Sequence, residues 1–536
     1  MTTATASHTP APKDATDFSA PGARNPATGA ALDPIVDLRP DQVRDVVAKA
    51  RAAQPAWAAL PLSTRQDKAM LFARRILERR KEITTIMAAE TGRDPTECLV
   101  SEVIVALSFA KAAGRAARDA LKPERIKLSP LEYPGKKIVV EAVARGVVGI
   151  IAPWNYPLGN FMKSIFPALL SGNAVVLKPS EHTPRAGVWL ARVAQEVFPP
   201  DVVQVITGGG GVGAALIDGG IDAVVFTGSV KTGKLVCVEA AQRLIPASVE
   251  LGGKDAAIVL ADCDFERTVA GIAHWSIHNA GQNCAAIERV YVEEAIASRF
   301  VEALGRVVGG LRVATGNAGH SDLGPMQNLL QLKVVEDHVA DALQKGATLV
   351  CGGKRTGNGL GYLPTVLDGC NETMHAVTQE TFGPIVAVVR VKDAEEAVRR
   401  ANDSRYGLNG SVWTRDLQRG AQLARRLEVG VALVNNHALT GVMPETPWTG
   451  TRDTGTGVAN SKHAYHTFVR RRTLLVDASS KPDPFWMPAN EDLDHFAEAV
   501  VAMSLGSLGA TMSLLGLVNK RVKAIRAMVS GHKAVK

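Results

Sequence analysis

Cysteine is scarce in this chain and never paired at short range. Six cysteines stand at 98, 237, 263, 284, 351 and 370 of 536 residues. None forms a CxxC or a Cys/His cluster of zinc spacing, which argues against a structural metal and against a disulfide framework. The scatter fits a reducing, cytoplasmic setting. The opening MTTATASHTPAPKDATDFSA has neither a charged n-region nor an apolar h-region. It reads as a disordered leader over 1–19 rather than a signal peptide. Acidic residues are missing after Glu498, where Lys520, Arg521, Lys523, Arg526, Lys533 and Lys536 follow. Six charges of the net +8 therefore lie in the C-terminal stretch. The body is close to neutral, so no nucleic-acid partner is expected.

With 46% hydrophobic and 21% charged residues, the chain has the composition of a soluble protein able to bury a large core. Residues 41–121 carry apolar positions at helical spacing, as in DQVRDVVAKARAAQPAW and LFARRILERRKEITTIMAAET. KKIVVEAVARGVVGIIA (136–152) is β-branched and strand-like. Strands and helices then alternate: AVVLKPS, PRAGVWLARVAQEVF, VVQVIT, VGAALIDG, AVVFTGS, KTGKLVCVEAAQRL. That order predicts a parallel sheet with crossover helices. A second alternating block begins at DAAIVL and runs through ATLVCGG, TFGPIVAVVRV, NGSVWT and VGVALVNN.

The loops at strand ends hold the residues with chemistry. PWNYPL (153–158), KPSE (178–181) and FTGS (226–229) each follow an apolar strand, the place where open α/β sheets bind ligands. ITGGGGVG (206–213) precedes a helix whose free N–H groups could meet phosphate; alone it reads first as a plain turn. Lys178 and Glu181 are spaced to bracket ribose hydroxyls, or to form a solvated pair. ELGGK (250–254) sets Glu250 before two glycines that leave room beside it; it is a candidate general base or a surface residue. In AGQNCAAIERV (280–290), Ala280 and Gly281 are read as keeping the approach to Cys284 open. A nucleophilic thiol needs access, a base and oxyanion donors, and the Cys284 N–H with the Asn155 side chain could supply two donors. Cys284 by itself reads first as a buried, inert cysteine.

PWNYPL, KPSE, FTGS, ELGGK, GQNC and ETFGPI occur in that order, together with GVVGIIAPWNYPL, NDSRYGLNGSVWT and VNN (434–436). The ordered set resembles the NAD(P)-dependent aldehyde dehydrogenase superfamily over about residues 20–475. The resemblance implies an α/β protein with a doubly wound Rossmann-like cofactor domain at 20–125 and 145–252. It also implies an α/β catalytic domain at 253–455 and a small bridging, oligomerising β-element at 126–144 and 462–478. It implies oxidation of a small-molecule aldehyde to the acid through a Cys284 thiohemiacetal and thioester, with Asn155 steadying the oxyanion and Glu250 activating water. Lys178 and Glu181 become adenosine-ribose contacts, with Ser180 beside them, and Gly228 and Ser229 pyrophosphate contacts. Glu380 becomes the nicotinamide-ribose partner, with Phe382 packing nearby. Trp154, Gly208, Gly213 and Phe226 complete the implied cofactor set. The Glu181 carboxylate would repel a 2′-phosphate, which favours NAD over NADP. A homodimer or tetramer is implied. The alternatives are a CoA-acylating relative and an inactive relative kept for membrane or partner binding.

Two stretches depart from the family. Its late motif, an aromatic, paired glycines, a lysine and two more glycines, here reads PWTGTRDTGTGV (447–458), with Trp448, Thr449 and Arg452 at altered places. In relatives this region borders the substrate mouth, so Pro447 and Trp448 are read as narrowing the tunnel or packing against it. The C-terminal extension, 485–536, contains an uncharged run at 499–518 long enough to cross a bilayer, followed by cations. Membrane contact through 499–536 and an amphipathic helix packed on a partner are the two expectations for it.

Overall fold

The computed structural model describes residues 22, 24–130, 133–314, 320–357 and 359–531. The leader at 1–19, Lys533 and Lys536 lie outside the described residues. The chain forms two compact units. One reaches to Lys122 and resumes as Ala142–Arg470; the other is Pro123–Glu141 with the chain from Arg471 onward.

The first unit holds both alternating blocks. Its five-stranded sheet runs, in spatial order, Val203–Val205, Ala174–Lys178, Val147–Ile151, Ala223–Thr227 and Ala247–Glu250. Every pairing is parallel. The three central strands are almost wholly buried, which explains their unbroken β-branched runs. Successive strands turn outward in opposite directions from Val147–Ile151, so a crevice opens at the C-terminal ends of Val147–Ile151 and Ala223–Thr227.

The second sheet has seven strands. They are ordered Thr348–Cys351, Thr365–Asp368, Ile385–Val391, Ile287–Glu293, Asp255–Val259, Asn409–Trp413 and Val431–Val434. All pairings are parallel except that of the edge strand Thr348–Cys351. The helical pattern over 41–121 resolves into several helices, among them Val43–Ala58, Leu62–Glu78 and Arg80–Thr91.

The strand-like stretch 136–152 becomes two strands, Lys136–Ala144 and Val147–Ile151, parted at Gly146. A Cβ on Gly146 would collide with the Asp222 carboxylate, and its φ is +139°. Lys136–Ala144 lies between Glu124–Ile126 and Val469–Asp477 in a three-stranded sheet.

The uncharged run at 499–518 is not one helix. Glu491–Ser504 stops, Gly506 takes φ +91°, and Ser507 caps a new helix, Leu508–Val529, by accepting from the Ala510 N–H. The two helices pack on each other through Phe496, Ala499, Val522 and Ile525. The buried Arg521 guanidinium ties the pair to the preceding loop, donating to Pro484 O at 3.0 Å and Asn490 Oδ1 at 2.6 Å. Among the described residues no helix is long and apolar enough to cross a membrane, which corrects the reading of 499–518 as a span.

Candidate active site

The strand ends of the five-stranded sheet deliver the sequence-marked loops to one crevice. Asn155 follows Val147–Ile151, Lys178 ends Ala174–Lys178, Gly228 and Ser229 follow Ala223–Thr227, and Glu250 ends Ala247–Glu250. A cavity of about 690 Å³ opens there. Asn155 and Cys284 line it, as do Lys178, Ser180, Glu181, Gly213, Phe226, Gly228 and Ser229. Trp154, Glu380 and Phe382 line it too.

Two marked residues are placed differently. Gly208 is outside the lining. Its φ of +141° and the Val212 side chain pressed against it make it the turn into helix Gly210–Asp218. Glu250 is also outside the lining, although Leu251 and Gly252 belong to it. Glu250 nevertheless lies close enough to Cys284 for its charge to act on the thiol.

Cys284 is half-buried, with Sγ 3.8 Å from Asn283 Oδ1. Burial pushes its thiol up to about 12, and the Lys163 ammonium opposes that rise. The resting group is therefore a neutral thiol at physiological pH. Its backbone N–H has no acceptor among the described residues. The Asn155 amide donates once, to Gln282 O at 3.1 Å, while its oxygen accepts from Asn160 at 3.2 Å. One N–H of Asn155 is left over. Burial also raises the Glu250 carboxyl, again against Lys163.

The loop before the thiol is held tightly rather than left open. Asn279 and Ala280 have φ of +56° and +54°, and Asn279 donates to the carbonyls of Asn155 and Gln282. Ala280 is buried, and a Cβ on Gly281 would strike Gly383 O at 2.1 Å. The expectation that Ala280 and Gly281 clear a path to the thiol is thus corrected. Gly281 lets the cysteine loop touch the loop that carries Glu380 and Phe382.

The ELGGK glycines act likewise. A Cβ on Gly252 would overlap the Glu380 carboxylate, and one on Gly253 would meet Cys284 O at 2.5 Å. Glu380 accepts from the Gly253 N–H at 3.0 Å, and burial lifts its carboxyl to about 8.

Glu288 was not singled out in the sequence. Buried on Ile287–Glu293, it pairs with Lys254 at 2.5 Å and accepts from the N–H groups of Thr381 and Phe382 at 2.8 and 2.9 Å. It fixes the 380–382 loop, where Phe382 (φ +49°) meets Trp154 edge to face at 5.4 Å. Apolar cavity walls from Ile217, Leu235 and Val236 were also missed, because on helices they look like core residues.

At the adenosine side the Lys178 ammonium is buried, donates to Pro179 O at 3.1 Å and lies 3.9 Å from Glu181. A Cβ on Gly213 would come within 3.6 Å of its stem. Ser229 caps helix Val230–Gln242 by accepting from the Thr232 N–H, so the positive end of that helix faces the cavity.

The altered late motif closes the other side of the thiol. Trp448 is buried beside Ala285, Leu408, Val431 and Ala438, and Cys284, Trp275 and Leu433 pack on that cluster. Trp448 is therefore part of the wall that holds the cysteine.

This site and fold place the chain in a known class. It belongs to the aldehyde dehydrogenase family, whose model matches residues 17–474, and is an enzyme that oxidises aldehydes with NAD(P). It is 32% identical over 466 residues to a 4,4'-diapolycopene aldehyde oxidase of Methylomonas sp, covering 87% of each chain. It is 36% identical over 454 residues to a Mycobacterium tuberculosis protein provisionally named a succinate-semialdehyde dehydrogenase [NADP(+)], covering 83% of this chain and 87% of that one. The Staphylococcus aureus betaine aldehyde dehydrogenase, solved with NAD+, superposes with a TM-score of 0.81 at 29% identity, over 87% of this chain and 93% of that one.

Proposed function

We propose that the chain oxidises an aldehyde to the free acid through a covalent thioester on Cys284, with NAD preferred over NADP. The observation that carries this reading is the half-buried thiol in a dinucleotide-sized cavity, beside a free N–H of its own and a spare N–H on Asn155.

The cavity's residues fit a nicotinamide dinucleotide. Lys178 and Glu181 present a donor and an acceptor for ribose hydroxyls, the Ser229 helix end suits a pyrophosphate, and Gly209, Gly210 and Gly211 leave backbone open to approach. Bound there, the dinucleotide supplies the acceptor for the hydride. In the chain's own part, the Cys284 thiol gives its proton to water, and the sulfur adds to the carbonyl carbon. The alkoxide oxygen is held by the Cys284 N–H and the Asn155 amide. After hydride loss leaves the thioester, Glu250 takes a proton from water, the hydroxyl adds to the acyl carbon, and sulfur departs. A carboxyl raised by burial suits that proton transfer. Glu181 supports the NAD preference, since a carboxylate beside the ribose repels a 2′-phosphate.

Purified protein given aldehydes with NAD, NADP, or either with CoA tests the reading. The expected result is reduced dinucleotide without added CoA and a higher kcat/KM for NAD. A requirement for CoA would favour the acylating alternative, and no reduction with any aldehyde would favour an inactive relative.

Assembly as a homodimer or tetramer through the three-stranded element is supported by Leu474, Leu475 and Val476, about half exposed on Val469–Asp477. Contact with an anionic membrane surface, rather than a span, is supported by the C-terminal helix pair. Leu505, Leu508, Met512 and Leu515 stand bare near its turn, and exposed Lys520, Lys523 and Arg526 follow. Full-length protein is then expected to float with vesicles containing phosphatidylserine, and a chain ending at 484 to stay behind. Equal flotation of the two would remove the membrane role.

A further inference from the structure

One buried imidazole behind the cavity has no part in the chemistry above. Helix Leu329–Gln344 buries Leu332, Val335, His338, Val339 and Ala342. Four of these are apolar, and His338 stands in their stripe at 5% exposure. A histidine in such a place is ordinarily a core residue whose ring bonds whatever is near. The near group here is Thr381, with Oγ1 3.0 Å from His338 Nδ1. Thr381 is 1% exposed and stands between Glu380 and Phe382, which both line the cavity.

The direction of each bond follows from its donors. The Lys254 ammonium can only donate, and it does so to Thr381 Oγ1 at 3.1 Å. The hydroxyl proton is left for His338 Nδ1, which accepts it as a neutral ring protonated on Nε2. Burial, and after it the Lys254 charge, pushes the imidazole down to about 4, so the neutral form holds at pH 7. Thr381 is then bonded through every polar atom. Its N–H donates to Glu288 at 2.8 Å, and its carbonyl accepts from Gln331 Nε2 at 2.7 Å. Gln331 shares the helix of His338, and a Cβ on Gly383 would collide with Val335 of that helix. The loop that carries Glu380 is thus seated on helix Leu329–Gln344. Phe382 shows independently that the loop needs a seat. Its φ of +49° is left-handed, a conformation that a bulky residue keeps only where its surroundings impose it.

We infer that His338 is a positioning residue for the nicotinamide end of the dinucleotide: by accepting from the Thr381 hydroxyl it holds Glu380 and Phe382 at the cavity wall and slows release of the reduced dinucleotide. Without that acceptor the Thr381 hydroxyl is buried with a proton and no partner, and the strained turn at Phe382 loses one of its ties. This deepens the proposed dinucleotide reading and rests on it.

The test uses the full chain with NADH and, as a probe of the adenosine side alone, AMP. His338→Phe has no acceptor in its ring. From it NADH is expected to leave about 3- to 10-fold faster in stopped-flow fluorescence, the scale of one hydrogen bond, while AMP binds within about twofold of the unaltered protein. His338→Gln, whose side-chain oxygen can accept, should keep most of the slow release. Thr381→Val removes the hydroxyl from the other end and should release NADH at least as fast as His338→Phe. Combining the two should add little, because the bond is already gone. Unchanged NADH release in His338→Phe overturns the inference. So does an equal loss of NADH and AMP, which would make His338 a core residue and nothing more. Should His338→Phe not fold, Thr381→Val decides in its place by the same outcomes. An unaltered protein that binds no NADH would bring down the dinucleotide reading itself, and the role of His338 with it.

Discussion

Replacing Cys284 by alanine is expected to lower kcat by roughly 10⁴-fold or more while leaving dinucleotide binding within about twofold. The size follows from the covalent route: without sulfur there is no thiohemiacetal, and water alone would have to add to the aldehyde. Retention of binding follows from geometry. Lys178, Glu181, Gly228 and Ser229 belong to the five-stranded sheet, whereas Cys284 stands just before Ile287–Glu293 of the other sheet. The thiol makes one weak hydrogen bond, 3.8 Å long, so its loss removes little polar support from the loop. Oxidation is followed by absorbance of the reduced dinucleotide, and binding by quenching of tryptophan fluorescence. A variant with near-normal turnover would remove the sulfur from the reaction, and one that also lost the dinucleotide would mean that the loop had collapsed.

The pH dependence of the unaltered protein carries the same assignment. A thiol pushed up to about 12 is neutral at pH 7, and its thiolate fraction rises about tenfold per pH unit below that value. The acylation rate is therefore expected to climb through the alkaline range.

The parallel sheets were legible because their strands are buried on both faces and so read as apolar runs between helices. The strand Ile287–Glu293 escaped for the opposite reason. IERVYVE carries Glu288 and Arg289 in its middle, and charges in a run argue against a buried central strand. The structure buries both by pairing Glu288 with Lys254 and giving Arg289 the carbonyls of Lys254 and Ala401. That partner set is non-local, so the sequence around 288 does not display it. The catalytic candidates were legible as an ordered set of loop motifs, not as single residues. The cavity collects Asn155, Cys284 and most of the cofactor set but not Gly208, which a glycine run cannot distinguish from its neighbours.

The glycines were the least legible. Gly252, Gly253 and Gly281 looked like turns or clearance for substrate, and each instead lets two catalytic loops touch. The C-terminal run failed as a span for a local reason: uncharged length says nothing of continuity, and Leu505-Gly506-Ser507 ends one helix and caps the next.

Glu250→Gln separates the two halves of the reaction and gives the second large effect. Steady-state oxidation is expected to fall about 10²- to 10⁴-fold, the usual weight of a general base. The first turnover should survive as a burst of one reduced dinucleotide per site. The charge of Glu250 raises the Cys284 thiol, so its removal lets the sulfur ionise more readily and supports acylation even as water attack fails. The sign at low pH follows from the same carboxyl. Burial raises its pKa, so its basic form is present only above the ordinary carboxylate range. The acid limb of the unaltered enzyme should therefore lie above that range, and the variant should lack it. Rapid mixing measures the burst, and mass spectrometry of the quenched variant should find the acyl group on the peptide containing Cys284. A variant without a burst would move Glu250 to the first half, as the base that ionises the thiol. A variant whose turnover returns in full with CoA would show that the thioester is open to a thiol, and would shift the reading to the acylating class.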